Sequence, residues 1–349
     1  MSDTSFVKHR WRLLLNLATI AALFVLAIVI RHQIVETFEN LNKVKIWVLL
    51  FIIPIEIIDY HAQTKVYQKL LAILGERLSY KNLFKLSLEL NFVNHVFPSG
   101  GVSGISYFGF RMRNFGVRGT RSTLIQTMKL MLLFLSFEPV LLAGMLILAV
   151  RGHANDFVIF MGSALTTLVI FVTVLFIYII GNQVRINSFL TPLVVLVNRL
   201  IYAVRPKHPE MINIVNTREL FQDFHANYSI LQEHYFELKE PFLWSMLANI
   251  AEVSVIYVVY IAFGANAGVD VGAIILAYAV ANFAGLISVF PGGTGVYEAL
   301  MTLVLVATGI PARISLPVTI MYRILNTLLQ IPPGYFLYHR TLKAGYPKK

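Results

Sequence analysis

Ionisable side chains stand in segments that are otherwise apolar: Glu56 and Asp59, Glu89 and His95, Lys129 and Glu138, Glu252, Glu298 and Arg323. A charge near a bilayer centre costs at least ~2.5–3.5 kcal/mol per Arg, Lys or Asp, so each such residue needs a partner or a task. Glu56 and Asp59 fall one helical turn apart, on one face. That face either relays protons or binds a cationic headgroup; alternatively, Asp59 lies near an interface and Glu56 pairs with a structural cation. Arg323 offers a planar fork of donors that matches phosphate. It is read as a lipid-phosphate anchor, as the partner of Glu298, or as a side chain snorkelling to an interface. Lys129 occupies a roughly corresponding place earlier in the chain, close enough to a span end that snorkelling is favoured. Glu89, Glu138 and Glu252 join Glu56, Asp59 and Lys129 as candidates for a proton or headgroup relay. His95 is either a proton-linked switch or one partner in a buried hydrogen bond.

Two strings give these charges a setting. Asn91–Gly104 reads NFVNHVFPSGGVSG and Asn282–Glu298 reads NFAGLISVFPGGTGVYE. Both open on Asn-Phe, and both break at Val-Phe-Pro followed by glycines. Hydrocarbon offers no partner for free backbone groups, so a helix broken at membrane depth must be buried or line a wet cavity. Paired breaks of this kind in two halves of a chain point to a transporter-type binding site. The half-helix after each break begins with free N–H groups and a positive dipole end, which can receive a phosphate. Pro98, Gly100 and Gly101, and Pro291, Gly292, Gly293 and Gly295, are therefore candidate substrate-binding residues with His95, Glu298 and Arg323. The other reading is that the glycines only permit turns and close helix packing. Glu298, just past the second break, binds an ammonium group, takes up a coupling proton or caps the half-helix start; these roles can coexist.

The elements that must position these residues are transmembrane helices. The chain has 349 residues, 57% of them hydrophobic and 13% charged, with a mean hydropathy of +0.70. A soluble domain carries about a quarter charged residues. The fold class is all-α, a polytopic helical membrane protein. The net charge of +11 is assigned to cytoplasmic loops and anionic headgroups and not to nucleic acid, because no recognition motif accompanies it. The absence of cysteine excludes disulfides and thiolate chemistry. No HExxH, Cys/His cluster or Walker-type loop is present, so neither a metal site nor any cofactor or ATPase activity is expected. His208, His225 and His234 are scattered and read as solvated or interfacial.

Leu13–Ile30 reads as a retained first span, because Arg31-His32-Gln33 follows it where a signal peptide would have small residues. Further spans are expected at Ile46–Tyr67, Leu124–Val150, Phe157–Ile180, Phe242–Phe263 and Ile314–Tyr338, each near the ~20 residues a crossing needs. Leu83–Phe97 with Val102–Phe110, and Val271–Phe290 with Val296–Gly309, are expected to form re-entrant hairpins, the first from the cytoplasm and the second from outside; the other reading is kinked full spans. The expectation is about six full spans and two hairpins, about eight membrane elements in one domain over residues 1–349. They form an inverted repeat, residues 11–150 against 156–338, with both termini cytoplasmic. Residues 182–240 form a cytoplasmic insert with amphipathic stretches such as Phe189–Val204.

Phe290-Pro291-Gly292-Gly293-Thr294-Gly295 with Glu298, together with Tyr322-Arg323 in a Pro-terminated last span, resembles the transmembrane region of the lysyl-phosphatidylglycerol synthase/flippase family. The resemblance extends over essentially the whole chain in length and span layout. It implies that this region moves a lipid between leaflets. Bifunctional members carry a cytosolic C-terminal domain that makes the lipid from aminoacyl-tRNA. This chain stops at Lys349, so a stand-alone member without the synthase is expected, and aminoacyl transfer is not carried over.

The leading expectation is a translocator of a phospholipid or polyprenyl-phosphate-linked lipid in the cell membrane, with headgroups crossing a central polar cavity. An enzyme that modifies lipid headgroups would use the same carboxylates with Arg323, but no nucleophile–base pair is evident. A non-catalytic membrane partner of a separately encoded synthase or glycosyltransferase is the third reading, and a homo-oligomer is compatible with all three.

Overall fold

The computed structural model describes residues 28, 31, 35, 44–97, 102–204, 214–264, 270–287 and 295–344. The expected first span, Leu13–Ile30, lies outside them save for Ile28, as do residues 98–101 and 291–294 of the two breaks. Among the described residues every regular element is helical. A helix satisfies its own backbone groups, which is what a hydrocarbon surrounding demands.

In chain order the helices are α1 (Ile46–Leu49), α2 (Ile52–Ile73), α3 (Tyr80–Val96), α4 (Val102–Asn114), α5 (Gly119–Val150) and α6 (Asp156–Ile180). There follow α7 (Gln183–Val204), α8 (Ile214–Glu233), a 3₁₀ turn at Tyr235–Leu238, α9 (Lys239–Ala262), α10 (Val271–Ile287), α11 (Val296–Ala307) and α12 (Ala312–Ala344). Among the described residues, five stretches are long and apolar enough to cross a membrane: Ile46–Ile73, Gly119–Val150, Asp156–Ile180, Tyr235–Ala262 and Ala312–Lys343. Four contain one of the spans expected from sequence, and Tyr235–Ala262 stops one residue short of the expected Phe263. The four arms flanking the breaks are shorter, at 17, 13, 17 and 12 residues. At 1.5 Å rise per residue the longest of them reaches about 25 Å, less than the ~30 Å of a hydrocarbon core.

Local chemistry sets several boundaries. Ser79 caps α3 by accepting from the Asn82 N–H, and Asn155 caps α6 by accepting from the Val158 N–H at 2.9 Å. Gly295 starts α11 at φ +89°, a region that a side chain disfavours. On α6, Phe160, Phe171 and Val174 are 68%, 62% and 59% exposed. These apolar rings and branches suit lipid contact rather than water.

The packing is built around α2 against α9. α3 lies along α12, and α10 lies along both α5 and its own partner arm α11. Close approach depends on small residues. A Cβ on Gly334 of α12 would sit 2.5 Å from the Leu88 carbonyl oxygen of α3, and one on Gly272 of α10 would sit 2.4 Å from the Gly144 carbonyl oxygen of α5. One large apolar cluster joins α5, α9, α10, α11 and α12, and a second joins α2, α3, α4, α5 and α8. Helix α8 of the insert is fastened to this body: Arg121 of α5 donates to Asn227 Oδ1 of α8 at 3.0 Å and to Glu76 Oε1 at 2.6 Å. His225 Nδ1 donates to the Ile180 carbonyl at 2.7 Å, so this histidine is half-buried against the end of α6.

Candidate substrate cavity

Polar side chains spaced three or four apart share one helix face. On α12 that face carries Tyr322, Arg323, Asn326, Thr327 and Gln330, and all of them line a cavity of about 140 Å³. α3 adds Asn91 and His95, α10 adds Tyr278 and Asn282, and Tyr297 of α11 and Glu252 of α9 complete the wall. Asn91 and Asn282 are the residues that open the two repeated strings. Their phenylalanine neighbours turn the other way, into protein. The Phe92 ring lies 5.6 and 5.2 Å from the Tyr335 and Tyr338 rings of α12, and the Phe283 ring lies 4.6 Å from Phe134 of α5. Each Asn-Phe pair thus sends an amide to the cavity and a ring into a long span.

Arg323 and Glu298 face each other there, with Arg323 Nε 3.3 Å from Glu298 Oε1. The guanidinium also lies 4.5 Å from the centre of the Tyr297 ring. Glu298 accepts from the Gly295 N–H through Oε2 at 2.6 Å, so one carboxylate both caps α11 and pairs with the arginine. Behind the wall the Tyr322 hydroxyl donates to Glu252 Oε2 at 3.1 Å, and Gln330 Nε2 donates to Glu56 Oε2 at 3.3 Å and also to Asn326 Oδ1. Asp59 Oδ2 accepts from Gln63 Nε2 at 2.6 Å, and Gln63 Oε1 accepts from Lys129 Nζ at 3.0 Å. Lys129 also stands 4.4 Å from the centre of the Tyr67 ring. It therefore reaches inward, not to the interface that its place in the span favoured. His95 Nδ1 donates to the Asn91 carbonyl at 2.9 Å, which leaves Nε2 as the ring nitrogen for a ligand.

The structure gathers Glu56, Asp59, Glu252, Glu298, Arg323, Lys129 and His95 in or just behind this cavity. It leaves two candidates elsewhere. Glu89 is bound by Arg111 Nε at 2.7 Å, the Tyr107 hydroxyl at 2.9 Å and the Thr341 hydroxyl at 2.8 Å. Glu138 of α5 is buried and is not part of the cavity lining. Pro98, Gly100, Gly101, Pro291, Gly292 and Gly293 lie outside the described residues; Gly295 is seen as the N-cap of α11. The search by charge overlooked Asn91, Tyr278, Asn282, Tyr297, Asn326 and Gln330, which carry none. A signal was present: Asn91/His95, Tyr278/Asn282 and Tyr322/Asn326/Gln330 are neutral or weakly charged polar residues at four-residue spacing in apolar helices. Among the described residues, no group of three or more His, Cys, Asp or Glu is placed to hold a metal ion.

The family profile of the lysylphosphatidylglycerol synthase TM region matches residues 13–334, which include every residue of the cavity wall. The chain belongs to that family. No curated protein matches it. As a member of the lysylphosphatidylglycerol synthase TM region family with five helices able to cross a bilayer, it is an integral membrane protein.

Proposed function

We propose that the protein translocates a phospholipid or lipid-linked substrate between leaflets, its headgroup passing the cavity while its tails stay in lipid. The observation that carries this reading is the cavity itself: a polar space walled by α3, α9, α10, α11 and α12, with Arg323 on its wall and paired to Glu298. Arg323 supplies the phosphate contact, and Asn91, Asn282 and Asn326 supply neutral hydrogen bonds that suit a headgroup in transit.

An inverted repeat underlies the arrangement in this reading. Its support is reciprocal packing: α3 of the first half lies on α12 of the second, α10 of the second half lies on α5 of the first, and α2 and α9 face each other. The short arms around each break act as re-entrant hairpins, and the cell membrane with both termini cytoplasmic follows from the basic loops.

Leaflet-resolved movement of phosphatidylglycerol, its lysyl ester and a polyprenyl-phosphate conjugate in proteoliposomes tests the proposal. Faster movement of at least one lipid, slowed by Arg323→Ala, is expected. Rates equal to those of empty vesicles for every lipid, with folded protein, would sink it. A new lipid species formed under the same conditions would turn the reading toward a headgroup-modifying enzyme.

A further inference from the structure

Among the described residues, the basic side chains that Glu56, Asp59, Glu252 and Glu298 face across the centre of the bundle are Lys129 from α5 and Arg323 from α12. The other titratable groups turned toward them are Tyr60 on α2, His95 on α3, Tyr278 on α10, Tyr297 on α11 and Tyr322 on α12. The centre is already short of positive charge, and an anionic headgroup on Arg323 adds one more negative charge in a place where unpaired charge is costly.

Besides Glu298 Oε1, which faces Arg323, three buried acceptors there have no hydrogen-bond donor among the described residues: Glu56 Oε1, Asp59 Oδ1 and Gln330 Oε1, on residues 5%, 2% and 2% exposed. Two of the three belong to one side-chain pair. Gln330 Nε2 already donates to Glu56 Oε2, while Glu56 Oε1 and Gln330 Oε1 are both without a donor. A proton on Glu56 Oε1 turns that oxygen from acceptor into donor, and Gln330 Oε1 is the acceptor its own pair offers. A single proton then serves both orphaned atoms, in the manner of a carboxylic acid–amide pair. Gln330 also forms part of the headgroup cavity wall, so the pair is contiguous with the place where an anion arrives.

We propose that the Glu56–Gln330 pair is a proton-binding site, and that an anionic headgroup engaging Arg323 is accompanied by uptake of one proton on Glu56. This rests on the translocation reading for the identity of the anion. The balance is simple: the headgroup brings one negative charge, water supplies one proton, the proton bonds to a carboxylate oxygen, and both leave together. Binding and protonation are then reciprocally linked. Affinity for an anionic lipid rises as pH falls, by about tenfold per pH unit where one full proton is taken up.

The test uses the full chain in detergent, weakly buffered with a pH indicator, titrated with short-chain phosphatidylglycerol while binding is followed separately. One proton taken up per lipid bound, with a protonated-carboxyl infrared band appearing in step, is expected. Glu56→Gln should bind the lipid without uptake and without that band, whereas Glu138→Gln, away from the cluster, should behave as wild type. Lipid binding with no proton uptake by the wild type overturns the inference and leaves translocation standing. Uptake that persists in Glu56→Gln overturns the assignment to this pair. Should Glu56→Gln not fold, the wild-type proton count and infrared band still decide the linkage. Proton-linked binding combined with no lipid movement in vesicles would instead defeat the translocation reading alone.

Discussion

The helices flanking the two breaks each contribute a buried carboxylate, and each carboxylate has an arginine, but the pairs are wired differently. Glu89 on α3 is held by Arg111 on α4, the helix that follows the same break, with Tyr107 and Thr341 completing its hydrogen bonds. Glu298 on α11 is held by Arg323 from α12, a different element, at the longer distance of 3.3 Å and at the edge of a cavity. The first pair joins the two helices that flank one break. The second joins α11 to α12 beside the cavity, so in the proposed function a phosphate competes for Arg323 without separating α3 from α4. An ion pair's place in the topology, more than its chemistry, separates a structural brace from a binding group.

The sharpest way to break this comparison is to remove one partner from the brace. Arg111→Ala leaves Glu89, whose side chain is 2% exposed, without its cation, and a loss of about 3–5 kcal/mol is expected. It should appear as a large fall in thermal midpoint in detergent, with transport per folded molecule little changed. Neutralising both members of each pair sharpens the contrast. Glu89→Gln with Arg111→Gln should fold and keep its translocation rate, whereas Glu298→Gln with Arg323→Gln should fold but move lipid about 10–100-fold more slowly, the worth of a lost hydrogen bond to a charged group. Equal rates for the two double variants would erase the distinction drawn here.

Smaller effects test the supports of the second pair. Gly295→Ala forces a side chain onto φ +89° and should cost about 1–3 kcal/mol, shifting the α11 start that Glu298 caps; an unchanged melt would show that the turn tolerates a Cβ. The least is expected from Arg121→Ala. Its bonds to Glu76 and Asn227 are partly exposed, and an exposed pair contributes about 0.2–1 kcal/mol. Hydrogen exchange in α8 should rise while the cavity is unaffected, and loss of lipid movement in this variant would give the insert a role beyond attachment.

Much of the fold is legible in the chain because bilayer thickness converts hydropathy into helix length. Gly119–Val150 and Asp156–Ile180 could be read from composition alone, and the short arms betrayed themselves by stopping at Pro and Gly. The relation of Arg323 to Glu298 was one of two or three readings for each residue. The inward reach of Lys129 was not legible, since nothing local distinguishes a lysine that snorkels from one that finds Gln63 and Tyr67. Asn326 and Gln330 went unnoticed, and Asn91 and Asn282 were read only as string openings, because an uncharged amide in an apolar run costs less than a charge and so stands out less.

By itself, then, the sequence determined the all-helical membrane character, the positions of the spans and the family resemblance, since these follow from local hydropathy and from short strings of residues. Tertiary structure alone decided which buried groups meet. Glu56 and Gln330 lie far apart in the chain, and Lys129 reaches the Asp59 partner Gln63 from a separate helix, so these meetings depend on how α2, α5, α9 and α12 pack. A helix pattern fixes which face is polar; only the packing of close-approaching helices fixes what that face confronts.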